Sequence, residues 1–258
     1  MSRNYFEAEG TSATLLKAII QQSPVHAIER MQSFKPSASM VLGTAVHASL
    51  LEADRYDKLI AVSPNVDKRT KEGKATYAEF VASTGDKTVI TEDQQDMVEA
   101  MTMAVMDHPQ AKSLLEGCDK EVEKFFEYED LKCKAKIDCV HCEGFIVDIK
   151  TTKDASPDAF SKQSANLLYH LQMAWYAKAV GRSYKDCDCY IIAIENTAPH
   201  GVAVYQYDHN ALEFGWKLAQ RAVRQFKEYV ADLAINGKSL PYGSESIDLF
   251  LPAWAERI

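Results

Sequence analysis

Leu131-Lys-Cys-Lys-Ala-Lys-Ile-Asp-Cys139, a turn at Cys142-Glu-Gly144, then Phe145-Ile-Val-Asp-Ile-Lys150: this stretch decides the fold. Leu131, Cys133, Ala135, Ile137 and Cys139 alternate with Lys132, Lys134, Lys136 and Asp138. A period of two predicts a strand with one apolar face and one face of three lysines ending in a carboxylate. The turn sends the chain back along a partner strand, on which Ile146, Asp148 and Lys150 share a face. Paired strands therefore bring two carboxylates and a lysine towards one place.

Outward from the hairpin, Glu121 to Tyr128 reads as a preceding strand that turns at Glu129-Asp130. Downstream, one helix is predicted over about residues 160–180. Strands follow near 189–194 and 202–207, then a closing helix over about 210–235. Upstream, residues 1 to about 116 read as mainly helical. Ser12 or Thr14 can cap a helix carrying Leu15, Leu16, Ile19 and Ile20, which stops near Ser23-Pro24. A second helix covers about 39–53. Thr91 and Gln94 have capping-box spacing at the head of a third, about 92–106. Between them, residues 65–74 read as a polar, basic loop with Lys68, Arg69, Lys71 and Lys74 around a flexible Gly73. The expectation is one domain over residues 1–258: a helical layer to 116, an α/β core over 117–210, and a C-terminal helix and tail over 211–258.

The chain has 258 residues, 47% apolar and 26% charged, enough to bury a core and too regular for a disordered chain. Its longest apolar runs fall well short of the ~20 residues of a membrane span, and residues 1–10 hold no apolar stretch of a secretory leader. A cytoplasmic protein without a membrane partner is expected. With 37 acidic against 29 basic side chains the formal charge is −8, which argues against non-specific coating of nucleic acid but not against a local basic channel. Six cysteines include Cys139-Val-His-Cys142 and Cys187-Asp-Cys189. The second spacing is a poor half of a zinc site, and Cys133 and Cys139 lie on an apolar strand face, so buried free thiols are expected.

Asp148-Ile-Lys150 carries the chemistry. A carboxylate there can hold a hard cation, and an ammonium two residues on can orient a water beside it. Two other Asp/Glu-x-Lys matches, Glu72-Gly-Lys74 and Asp130-Leu-Lys132, sit in a loop and a turn; only Asp148-Ile-Lys150 ends an apolar strand opposite a second acid, Asp138. His47 lies one turn after Gly43 on a helix, and Tyr169, Gln172 and Tyr176 form a polar stripe on the helix after the hairpin.

In that order, Gly43-x-x-x-His47, Asp138, Asp148-Ile-Lys150 and Gln172-x-x-x-Tyr176 resemble the PD-(D/E)XK nuclease superfamily in its RecB-like form. The match is closer to the exonuclease VIII (RecE-like) family of phage and prophage. Residues 43–52, 67–74 and Lys134-Ala-Lys-Ile-Asp138 are similar to it too, so the resemblance spans roughly residues 12–207. It implies a restriction-endonuclease-like α/β core, a mixed central sheet flanked by helices. It also implies Mg²⁺-dependent degradation of linear double-stranded DNA from 5′ ends, with Mn²⁺ able to substitute. The remaining 3′ strand would pass to a RecT-like annealing protein.

Carried over by residue, Asp138, Asp148, the Ile149 carbonyl and His47 would hold the metal, and Lys150 would position the attacking water. Gln172 and Tyr176 would support the site. Glu121 or Glu123 would add a further acid. Lys132, Lys134 and Lys136, with Arg69, Lys71 and Lys74, would contact DNA. A homo-oligomeric ring, tetramer or trimer, is the expected assembly, with Phe214, Trp216, Leu218, Val223, Phe226, Phe250 and Trp254 as candidate contacts. The alternatives are another nuclease of the superfamily, structure-specific or helicase-linked, and a non-catalytic DNA-binding module of the same fold. No Gly-x-x-x-x-Gly-Lys-[Ser/Thr] is present to suggest a helicase.

Overall fold

The computed structural model describes residues 3–252. After a short helix α1 (Arg3–Glu7) come α2 (Ala13–Gln21), α3 (Pro24–Gln32), α4 (Ala38–Leu51) and α5 (Tyr56–Leu59). Next are β1 (Ile60–Val62), α6 (Lys71–Thr84), β2 (Thr88–Ile90), α7 (Glu92–Asp107) and α8 (Pro109–Leu115). The core follows as β3 (Cys118–Tyr128), β4 (Leu131–His141), β5 (Ile146–Thr152), α9 (Pro157–Asn166), α10 (Tyr169–Ala179), β6 (Cys189–Glu195), β7 (Val202–Gln206) and α11 (His209–Asn236).

The five main strands form one mixed sheet in the order β3-β4-β5-β6-β7. All neighbours are antiparallel except β5 and β6, which run parallel because α9 and α10 make the crossover between them. Helices cover both faces. Leu16 and Ile19 of α2, Leu171 and Trp175 of α10 and Leu212 and Val223 of α11 pack with Ala135 and Ile137 of β4. On the other side Val46 of α4 and Met101 and Val105 of α7 pack with Val147 and Ile149 of β5 and Ile192 of β6. No helix among the described residues is long and apolar enough to cross a membrane.

The sheet contains a fork. β4 and β5 pair only at Cys139–Val147 and Val140–Ile146, then separate. Thr11 fills the edge of β4 that this exposes: its N–H donates to Lys132 O and its carbonyl accepts from Lys134 N–H, both at 2.9 Å. At the apex the Asp138 carboxylate accepts from the Ile149 N–H at 2.7 Å, replacing a strand partner with a side chain.

Several local expectations change. Ser23-Pro24 does not merely end α2; Ser23 caps α3 with Pro24 in its first turn, where proline's missing N–H costs nothing. Residues 71–74 are the first turn of α6, capped by Thr70, rather than loop. Gly73 is buried, and a Cβ there would stand 2.2 Å from Asp67 O, so this glycine serves close approach rather than flexibility. The single helix expected over 160–180 is two, because Leu168 takes φ +54° and turns the chain between α9 and α10. All of α10 except Lys178 is then buried, between the sheet and α11. The capping box at Thr91 and Gln94 forms with both of its hydrogen bonds.

Candidate active site

The site is the mouth of the fork. Asp148 points from β5 towards α10 and is 1% exposed; its Oδ1 accepts from Gln172 Nε2 at 3.0 Å, and its Oδ2 meets the Lys150 ammonium. Asp138, on β4, lies between Ile149 N–H and His47, whose Nδ1 is 3.4 Å from Asp138 Oδ2. His47 Nε2 is 3.0 Å from the Ile149 carbonyl oxygen, so the ring spans both strands of the fork. Gln172 Nε2 also donates to Tyr176 Oη at 2.8 Å. The ordered set read from the sequence is therefore one cluster.

Glu121 completes it. Lys120 pairs with Cys139 and Val122 with Ile137, so Glu121 stands opposite Asp138, with φ +53° locally breaking the extended backbone. One ligand atom each from His47, Glu121 and Asp138 lie within 4.8 Å of one another. Glu123 sits instead by Tyr5, whose hydroxyl its charge affects. Parity along the strand cannot separate the two glutamates, since both project to one side; the distortion at Glu121 does.

Electrostatics keep the acids unlike. Burial pushes both carboxyls up. For Asp138 the charge and hydrogen bond of His47, with Lys150 and the Ile149 N–H, outweigh burial and hold it below the usual carboxylate range. For Asp148 burial and the Asp138 charge prevail over Lys150, leaving it raised. Burial alone would lower His47 and Lys150, but Asp138 raises the first and Asp148 the second, so Lys150 stays an ammonium at neutral pH. Burial next to Asp148 lifts the Tyr176 phenol far above its ordinary value.

The donor set suits a hard divalent cation: carboxylate oxygens of Glu121 and Asp138, the His47 imidazole and the nearby Ile149 carbonyl, with Asp148 next to Asp138; Lys136 pairs with Glu121 and Lys150 with Asp148, while His47 lies against Asp138. Among the described residues no cysteine joins such a group, and all six thiols are free, Cys142 being the exposed one.

The cluster floors a groove of about 1420 Å³ between α4–α5–β2 on one side and β5–α9 on the other. Lys58 and Lys87 stand on the first lip, Lys153 and Lys162 on the second, all exposed. Among the described residues none of these four ammoniums is held in an ion pair. Sequence reading did not bring them together on one groove, because they come from four separate segments.

The lysines it did single out lie otherwise. Lys136 lines the groove but pairs with Glu121. Lys134 donates to the carbonyls of Tyr5 (2.8 Å) and Ala8 (2.6 Å), and Lys132 is exposed on the strand. Arg69 forks onto Asp67 at 3.0 Å, and neither it nor Lys71 nor Lys74 lines the groove.

A second omission is Lys17 of α2. Its ammonium donates to Gln172 Oε1 at 2.7 Å and lies 5.6 Å from the centroid of the Tyr169 ring; Lys150 lies 5.0 Å from the same centroid. Lys17 is the one charge in Ala13–Gln21, an apolar helix, and that is the signal that could have found it.

The family model described as a PDDEXK-like domain of unknown function (DUF3799) matches residues 12–250. The chain belongs to this PDDEXK-like family. A phage exonuclease of the PD-(D/E)XK kind is what the sequence resembled, and the PDDEXK-like fold agrees with it. The chain is similar to the crystal structure of a candidate exonuclease from Eubacterium rectale, at TM-score 0.63, 16% identity and 96% coverage of each chain. A phage-related exonuclease from Haemophilus somnus 129PT aligns at TM-score 0.39 and 12% identity, over 89% of this chain and 99% of that one. No curated protein matches. In this chain the separation of β4 from β5 beyond Val147 leaves room for Glu121 of β3, Asp138 of β4 and His47 of α4 to meet.

Proposed function

We propose that this PDDEXK-like chain is a metal-dependent exodeoxyribonuclease that degrades linear double-stranded DNA, 5′ to 3′, and leaves a 3′ strand for an annealing partner. The observation that carries the reading is the pairing of an acidic floor with cationic lips. Glu121, Asp138 and His47 converge at the bottom of a groove, with Asp148 buried behind them under Lys150, and the groove is edged by four lysines that are unpaired among the described residues. A polyanion is drawn to the lips, and a phosphodiester that reaches the floor meets carboxylates beside which a bound cation would draw the phosphate in.

When bound, Mg²⁺ or Mn²⁺ would supply Lewis acidity towards the phosphate and lower the pKa of a ligated water. The chain does the rest. Asp138 is fixed by Ile149 N–H, and Asp148 by Gln172, so both carboxylates are preset. Lys150 keeps its proton and so donates; it orients the attacking water and screens the phosphate rather than acting as a base.

Polarity, the requirement for an end and a ring-shaped homo-oligomer belong to the same reading. Phe250 is exposed, as is Phe214, which stacks on His170, while Trp216, Leu218, Val223 and Phe226 pack within the chain; Trp254 lies outside the described residues. The test is digestion of end-labelled linear and closed circular duplex, with Mg²⁺ and with EDTA. Loss of label from linear duplex alone, only with metal, is expected, with no cleavage by Asp148→Asn or Lys150→Ala. Equal attack on circular duplex overturns the exonuclease assignment, and cleavage in EDTA overturns the metal.

A further inference from the structure

Lys17 has no place in the cluster of acids, yet it touches the residue that holds one of them. A Gln side chain can sit either way round, and its two ends differ: one donates twice, the other only accepts. At Gln172 the donor end faces Asp148 Oδ1 (3.0 Å) and Tyr176 Oη (2.8 Å), so both of its hydrogens are used. Turned over, Gln172 would set an acceptor against a buried carboxylate. An ammonium has no acceptor, and Lys17 Nζ stands 2.7 Å from Gln172 Oε1, so it admits one orientation only.

We infer that Lys17 is a positioning residue of the metal site: by fixing the amide of Gln172 it holds Asp148 Oδ1 and leaves Asp148 Oδ2 as the oxygen presented beside Lys150. The helix that carries it, α2, thereby becomes part of the site instead of a covering layer. The placement argues against an incidental contact. Lys17 and Gln172 are 155 positions apart, and the ammonium is part-buried with burial and the Lys150 charge pulling its pKa down to about 8. An ammonium whose burial and repulsion outweigh the favourable charge of Asp148 is not kept in such a place for packing alone. Tyr169 lines the groove with both ammoniums over its ring, while Lys17 does not line the groove, so a role in gripping DNA directly is not what the geometry supports.

The inference rests on the metal-site reading but not on nuclease activity, and the experiment keeps the two apart. Mn²⁺ alone is titrated by calorimetry into wild type, Lys17→Met, Gln172→Leu and the double variant, each confirmed folded by circular dichroism; steady-state cleavage with Mg²⁺ is measured on the same four. Lys17→Met is expected to weaken Mn²⁺ binding and lower kcat ten- to a hundredfold, as partners of ligating groups commonly do, with KM for DNA within about twofold. The double variant should be no worse than Gln172→Leu, because Lys17 acts through that amide. Lys17→Gln, too short to reach Oε1, should show the same losses and carries the test if Lys17→Met does not fold.

Wild-type Mn²⁺ affinity and kcat in the Lys17 variants, or multiplicative losses in the double variant, overturn the assignment. A wild type that binds Mn²⁺ but cuts no DNA defeats the nuclease reading and leaves the binding cycle to decide Lys17.

Discussion

Lys17→Met should change stability in a way that depends on pH, and the structure sets the size. The Lys17 ammonium loses its proton at about 8 in the folded chain against 10.5 for an ordinary lysine, first through burial and then through repulsion by Lys150. One pH unit corresponds to about 1.4 kcal/mol, so keeping this charge folded costs on the order of 3 kcal/mol. Below pH 8 folded and unfolded chains both carry the proton and the cost is borne in full. Between 8 and 10.5 the unfolded chain binds more protons, so wild-type stability rises relative to a variant without the amine, and above 10.5 the cost is gone. Methionine keeps the stem and removes the charge, but leaves Gln172 Oε1 without its donor, a loss of about 1–3 kcal/mol that does not vary with pH. At pH 7 the variant should therefore be as stable as wild type or up to about 2 kcal/mol more so. By pH 10 the order should have reversed. Urea unfolding in EDTA and reductant, from pH 7 to 10, reads the difference directly, since other titrations cancel between the two proteins. A difference that stays constant to within about 0.5 kcal/mol across that range would refute the buried-charge argument.

Gly215→Ala should destabilise by about 1–3 kcal/mol, read as a lower melting midpoint, because a Cβ would stand 2.2 Å from the His170 carbonyl where α11 crosses α10. Since α10 carries Gln172, kcat should fall further than the lost stability explains. Replacing Lys58, Lys87, Lys153 and Lys162 by alanine should weaken DNA binding and flatten its salt dependence by about 0.7–0.9 in log–log slope per contact removed, while Mn²⁺ affinity stays put. Arg69→Ala, already satisfied by Asp67 and off the groove, should change the slope less than Lys153→Ala; the reverse order in filter-binding titrations would move the DNA path to α6. Ca²⁺ should bind without supporting cleavage and should slow the Mg²⁺ reaction as a competitor, whereas turnover with Ca²⁺ alone would contradict the assignment of a strict, water-activating site.

What the sequence determined by itself was local or periodic. Alternation over Leu131–Cys139 made a strand, the turn at Cys142–Gly144 made its partner antiparallel, and the two-residue spacing of Asp148 and Lys150 put both on one face. The cap at Thr91 and the helix bearing Gly43 and His47 were equally legible, since a hydrogen bond to the third residue and a four-residue turn are encoded within one short segment. Tertiary structure alone decided whatever depends on segments meeting. Glu121 and Glu123 share a face in any strand, and only the distorted backbone opposite Asp138, at the fork, brings Glu121 to His47 and Asp138. The break at Leu168 needed a left-handed residue that nothing in its side chain announces. Gly73 looked like freedom and proved to be close packing, because the distance from a missing Cβ to Asp67 is a property of the folded turn. The four groove lysines and Lys17 come from segments scattered over about 150 residues. Only the folded chain puts the four around one groove and Lys17 against Gln172, because Coulomb energy and hydrogen bonding depend on distance in space rather than on order in the chain.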